Sequence, residues 1–69
     1  MDKGIAAELI KYANELGAIC NKMDPLIRQI TSDDERKVFL RCLGKIMSDI
    51  NVEFILPIAT AHPELDPDL

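Results

Sequence analysis

The sequence has few of the residues that form disulfide-linked or metal-bound folds. Its 69 residues include two cysteines, one histidine, three glycines and no tryptophan. Two cysteines are too few for a disulfide framework, and with a single distant histidine they do not supply the four ligands of a structural zinc site. The scattered glycines form no phosphate-binding loop. We therefore expect no metal and no cofactor.

Basic residues are absent from the C-terminal third of the chain. Residues 1–45 carry eight basic and seven acidic side chains, whereas residues 46–69 carry five acidic side chains and neither Lys nor Arg, which gives a net charge of −4. An acidic chain is repelled by phosphate backbones and by anionic membranes unless a local basic patch intervenes. We expect no secretory signal, because no basic stretch followed by an apolar core opens the sequence, and the longest uncharged stretch is about half a bilayer span. We expect a cytoplasmic protein with no membrane partner.

What the chain does have is apolar residues, 48% of the total, at helical spacing. In the first part of the chain they recur alternately four and three positions apart, a heptad seam of Ile5, Leu9, Tyr12, Leu16, Ile19, Met23, Leu26 and Ile30. This spacing predicts a helix over about 3–30, which Pro25 either kinks or breaks. A line of mostly small residues lies beside the seam (Ala6, Ile10, Ala13, Gly17, Cys20), and we interpret Gly17 as a point of close helix packing.

A second helix is predicted over about 33–56. Ser32 and Glu35 have the spacing of a capping box, and three acidic residues follow Ser32 where the helix dipole favours them. A second heptad seam consists of Leu40, Leu43, Met47, Ile50 and Phe54. Pro57 lacks the N–H that a helix needs, so the helix is expected to kink or end near Leu56. Further prolines predict an irregular acidic tail over 63–69.

Together these elements predict an all-α fold, an antiparallel helical hairpin over 1–62. Each helix has two apolar lines, and one neighbouring helix covers only one of them. We therefore expect the hairpin to form a homodimer, a four-helix bundle. The residues expected to mediate self-association are Leu9, Tyr12, Leu16, Ile19, Leu43, Ile46, Met47, Ile50 and Phe54. The alternative is a compact three-helix monomer with a corner at Pro25.

Two segments are candidates for contact with other molecules. The first is a basic stripe on the second helix, Arg36, Lys37, Arg41 and Lys45, which is either a phosphate-contacting face or a solvated face partly neutralised by Asp33 and Asp49. The second is the C-terminal segment, in which Ile58, His62, Glu64, Leu65 and Asp66 form a possible acidic partner motif. Its alternative interpretation is an ordinary solvated terminus.

The remaining reactive side chains do not form a catalytic set. Antiparallel pairing would place Cys20 and Cys42 in the same layer, either as a disulfide or as two buried thiols. His62 has no assigned partner for acid–base or nucleophilic work. The sequence thus predicts a non-enzymatic, self-associating helical protein, an interaction module or regulator whose partner is another protein. The alternative is a nucleic-acid-binding regulator that uses the basic stripe.

Overall fold

Two long helices joined by a five-residue turn make an antiparallel hairpin, in a computed structural model that describes residues 1–65. Helix α1 runs over Lys3–Ile27 and helix α2 over Asp33–Asp49. Helix α2 continues through a π-helical segment, Ile50–Ile55, into helix α3, Leu56–Ala61, and these three elements form the second rod of the hairpin. A 3-10 turn, Pro63–Leu65, follows the second rod. The described residues contain no strand, and the predicted all-α hairpin is confirmed. Residues 66–69 of the predicted tail lie outside the described residues.

Helix α1 begins with a side-chain cap and passes through its proline. The Asp2 carboxylate accepts a hydrogen bond from the backbone N–H of Gly4 at 3.1 Å, which satisfies one of the unpaired donors of the first turn. Pro25 lies within the helix and does not break it. The helix ends at Ile27, and the Ile30 N–H bonds to the Ile27 carbonyl at 3.0 Å in a tightened last turn. The helix is therefore three residues shorter than predicted.

Helix α2 begins at Asp33, as the capping pattern predicts. The Ser32 hydroxyl accepts a hydrogen bond from the backbone N–H of Glu35 at 3.3 Å. Three acidic side chains occupy the first turn, where the positive end of the helix dipole stabilises them. No described helix has both the length and the apolar character needed to cross a bilayer.

The π-helical segment explains how the second rod continues past Pro57. In a regular helix the proline ring clashes with the carbonyl four residues earlier, here that of Glu53. A π turn shifts each hydrogen bond by one residue, and the N–H of Leu56 accordingly bonds to the carbonyl of Asn51. Pro57 then occupies the first turn of α3, a position that tolerates proline. The helical rod therefore extends to Ala61, five residues beyond the predicted end.

The buried side of α1 is the line of small residues and not the heptad seam. Ala6, Ile10, Ala13, Cys20 and Ile27 are buried, whereas most of the seam is about half exposed. Small side chains let the second helix approach closely, so the hairpin closes along them. Of the two apolar lines that the sequence leaves open for packing within the hairpin, the structure buries the small-residue line. On the second rod, Leu43 of α2 and Ile50 of the π-helical segment are buried, and Leu40 and Met47 are partly buried.

The hairpin has two hydrophobic clusters. The larger one joins Ala13, Cys20 and Ile27 of α1 to Leu43 and Ile50. The smaller one, at the open end, joins Ala6 and Ile10 to Ile58, with Leu9 and Leu65 packed against it. Because α3 continues the direction of α2 and Pro25 makes no corner, the described residues do not form the alternative three-helix monomer.

Candidate functional site

The most extensive unpaired feature of the hairpin is an apolar face. Tyr12, Leu16 and Ile19 are each about half exposed, and Leu26 reaches 65% exposure. On the second rod, Phe39, Ile46 and Phe54 are 44–50% exposed. The apolar face comprises nine exposed residues: Ile5, Tyr12, Leu16, Ile19, Met23, Leu26, Phe39, Ile46 and Phe54.

On this face, side chains of α1 and of the second rod together line a cavity. A cavity of about 170 Å³ is lined by Leu9, Tyr12, Ala13, Leu16 and Phe54. Its lining is carbon-rich except for the phenol of Tyr12, so it fits an apolar side chain better than a polar ligand. The cavity shows that the seam of α1 and the Phe54 side of the second rod lie on the same side of the hairpin.

The residues expected to mediate self-association divide into two groups. Leu43 and Ile50 are buried inside the hairpin, and Leu9 and Met47 are partly buried. The other five lie on the apolar face with about half of each side chain exposed: Tyr12, Leu16, Ile19, Ile46 and Phe54. Only the second group is available to another molecule.

The opposite side of the hairpin carries a polar groove. It has a volume of about 350 Å³ and includes the amide side chains of Asn14, Asn21 and Asn51. Gly17 also lines the groove, and a Cβ added there would meet no atom within 4 Å. Close helix packing therefore does not require glycine at this position, contrary to the interpretation from the sequence.

The four basic residues of α2 do not form one open patch. Arg36 forms an ion pair with Asp33, and its Nη1 donates a hydrogen bond to the carbonyl oxygen of Ile30 at 2.8 Å. Lys45 donates to the carboxylate of Asp49 at 2.9 Å, which raises the pKa of Lys45 through that hydrogen bond and the opposite charge. Within residues 1–65, Lys37 and Arg41 make no ion pair. Arg36 therefore has a local structural role, since it ties the interhelical turn to α2.

The two cysteines have different surroundings. Both are free thiols, but Cys20 is buried and Cys42 is exposed. Successive helical residues point about 100° apart, so Cys42 faces away when its neighbour Leu43 enters the core. The prediction of two thiols in one buried layer is therefore wrong for Cys42.

The start of the C-terminal segment folds back onto the beginning of α1. The Nε2–H of His62 donates to the carbonyl oxygen of Met1 at 3.1 Å, because a carbonyl only accepts. Lys3 Nζ lies 3.8 Å from a carboxylate oxygen of Glu64, and His62 Nδ1 lies 3.6 Å from the same oxygen. No local sequence signal reveals the contacts of His62 with Met1 and of Lys3 with Glu64, since each joins residues 61 positions apart.

These contacts change the interpretation of the partner motif. Ile58 is buried in the smaller cluster and Leu65, which is partly buried, packs against it, so these two side chains of the candidate partner motif contact the hairpin itself. Glu64 remains exposed, and Asp66 lies outside the described residues. The Glu64 carboxylate has a lowered pKa, first because of a backbone hydrogen bond at Glu64 itself and then because of nearby Lys3 and His62, while desolvation acts in the opposite direction.

Among residues 1–65, no three His, Cys, Asp or Glu side chains come together in a way that would hold a metal ion. Comparison of the chain with known protein families, with curated proteins and with solved structures finds no match.

Proposed function

We propose that the protein is a non-enzymatic interaction module that self-associates through the apolar face. The observation that carries this proposal is the exposure of the heptad seam of α1. A repeat of this regularity is typical of a helix that packs against other helices along its whole length. The second rod covers the small-residue line and leaves most of the seam exposed.

The amount of exposed apolar surface supports the proposal. A large side chain has about 200 Å² of surface, so nine side chains that are half exposed leave roughly 900 Å². A protein–protein interface of standard size removes about 800 Å² from each partner. The chain as a whole exposes 5211 Å², whereas a compact monomer of its mass exposes about 4300 Å². Covering the apolar face with a second hairpin would give a four-helix bundle and remove this excess.

Nucleic-acid binding through the basic stripe is less well supported. Two of its four residues, Arg36 and Lys45, already pair with carboxylates. The apolar face is more extensive than the surface of the two remaining cations, Lys37 and Arg41. The salt dependence of partner binding separates the two functions, because phosphate contacts weaken steeply as salt rises, whereas apolar docking responds little.

A pair of charge insertions tests the proposal. Leu16→Asp places a carboxylate in the middle of the apolar face, where self-association would bury it at a cost of several kcal/mol. Ala18→Asp introduces the same charge on the polar-groove side of α1 and serves as the control. We expect sedimentation equilibrium at micromolar concentration to give a dimer for the wild type and for Ala18→Asp, and a helical monomer for Leu16→Asp.

A wild type that is monomeric at all concentrations up to about 100 μM would contradict the proposal. So would a Leu16→Asp variant that dimerises as tightly as the control.

A further inference from the structure

A row of three charged residues borders the apolar face along α1. Glu8, Glu15 and Lys22 are seven positions apart, so they lie in one line on a helix, next to the line that contains Tyr12 and Ile19. All three are exposed, and none makes an ion pair within residues 1–65.

The nearest cation on α1 does not neutralise the two glutamates of this row. Lys11 has the spacing to pair with Glu8 or Glu15, but its ammonium lies 5.7 Å from the centre of the Tyr12 ring. The row therefore reads acidic, acidic, basic from the N-terminal to the C-terminal end. When a second copy runs in the opposite direction, the two ends of the row become complementary, because Glu8 of each copy lies opposite Lys22 of the other, while the two Glu15 side chains meet at the middle.

The corresponding border along the second rod is acidic. Glu35 of α2 and Glu53 of the π-helical segment lie there without an ion pair within residues 1–65, and Asp49 between them is paired with Lys45. Placing α1 of one copy over the second rod of another would bring Glu8 and Glu15 close to these carboxylates. Like charges opposed at an interface disfavour that arrangement.

We propose, on the basis of the proposed self-association, that the apolar face is occupied by a second copy whose α1 lies antiparallel to the first α1. In this arrangement Lys22 of each copy meets Glu8 of the other at both ends of the helix pair. The twofold axis passes near Leu16, so Tyr12 faces the second copy's Ile19 and Ile5 faces its Leu26. The whole exposed seam is covered in this register, and the two Glu15 side chains flank the axis.

Charge reversal at the ends of the row tests the pairing of Lys22 with Glu8. We expect Lys22→Glu alone and Glu8→Lys alone each to raise the dimer dissociation constant by about 3- to 10-fold, the range for a pair of surface ion pairs. The double variant Glu8→Lys/Lys22→Glu should return to within about twofold of the wild type, because the two reversed charges meet again. Glu8 and Lys22 are fourteen residues, about 21 Å, apart on one helix, so restoration requires contact between copies. Lys37→Glu, on the other side of the hairpin, is the control for net charge.

Disulfide crosslinking tests the position of the axis. In a Cys20→Ala/Cys42→Ser background, a cysteine introduced by Leu16→Cys lies next to its own counterpart and should form a covalent dimer on oxidation. Ile5→Cys should not crosslink with itself, but should crosslink when mixed with Leu26→Cys.

The outcomes separate this arrangement from self-association as such. A dimer in which the double reversal is as weak as the two single changes combined, or in which Leu16→Cys does not crosslink, overturns the antiparallel α1 pairing and leaves self-association intact. A wild type that stays monomeric overturns both. Self-crosslinking of Ile5→Cys would indicate parallel α1 helices and would also overturn the arrangement.

Discussion

His62 and Met1, at opposite ends of the described chain, are joined by a hydrogen bond from the imidazole Nε2–H to the backbone carbonyl, 3.1 Å long. The contact holds the end of α3 against the start of α1 at the open end of the hairpin. Glu64 lies beside it, with its carboxylate close to both Lys3 and His62. This group of side chains holds the start of the C-terminal segment against the start of α1.

The lowered pKa of Glu64 makes this attachment sensitive to acid. A carboxyl group whose pKa is lower in the folded state contributes stability at a pH above its unfolded pKa, and loses it as the pH falls through the folded value. We therefore expect the contact to weaken only below the ordinary glutamate pKa, near 4.5. Carbon-13 NMR titration of the Glu64 carboxyl should give a lower pKa than in a peptide of residues 60–65. Lys3→Gln should raise it, and an unchanged value in that variant would contradict the role of Lys3.

Gly17→Ala is expected to stabilise the hairpin by about 0.5–1 kcal/mol. Alanine removes the entropic penalty of glycine in a helix, and the added Cβ meets no atom within 4 Å. Urea denaturation checks the change, and Gly44→Ala, at the other open glycine site of the described helices, should behave alike. Because Gly17 faces the polar groove, the substitution should leave self-association unchanged. A loss of stability would mean that something approaches Gly17 closely.

Arg36→Ala is expected to destabilise the protein by about 1 kcal/mol. The guanidinium bonds to the carbonyl of Ile30 as well as to Asp33, so its removal leaves the end of the interhelical turn without a donor. Lys37→Ala, which removes an exposed cation that makes no ion pair within the described residues, should change stability by less than about 0.5 kcal/mol. Thermal unfolding of the two variants measures the difference. Equal effects would show that Arg36 is only a surface charge.

The two thiols should react at different rates. Cys42 is exposed and Cys20 is buried, and only an accessible thiolate reacts readily. At concentrations low enough to keep the protein monomeric, we expect a thiol reagent to label one cysteine quickly and the second only after denaturant is added. Mass spectrometry should identify the first label at Cys42. Rapid labelling of Cys20 in the native protein would contradict its place in the larger cluster.

Local signals in the sequence determine the beginning of α2. Ser32 caps the helix through a hydrogen bond from the Glu35 N–H, and this geometry depends only on residues three positions apart. The same holds for the antiparallel direction of the hairpin, which follows from a turn too short for anything else. Features of this kind were predictable from spacing and side-chain chemistry alone.

The choice between two adjacent apolar lines was not predictable in the same way. Periodicity shows that Leu16 and Ala13 both lie on the apolar side of α1, but not which of them the second rod contacts. The second rod packs against Ala13 and leaves Leu16 half exposed. This choice depends on how closely the backbones of the two helices can approach each other. The contact between His62 and Met1 is likewise a product of the folded arrangement, because it requires the whole hairpin to be in place.

Eight positions separate Ile50 from Ile58, one more than the seven that return an α-helix to the same side, yet both residues are buried. The π-helical segment absorbs the additional residue, so the rod presents the same side to α1 before and after this segment. The length of the rod can therefore change by one residue at this segment without turning Ile58 away from α1. Deleting the exposed Val52 would convert the segment to ordinary α-helix and keep Ile58 aligned with Ile50, at the cost of bringing the Pro57 ring against a carbonyl. An equivalent deletion inside α2 would rotate every later side chain by about 100° and separate Ile58 from Ala6.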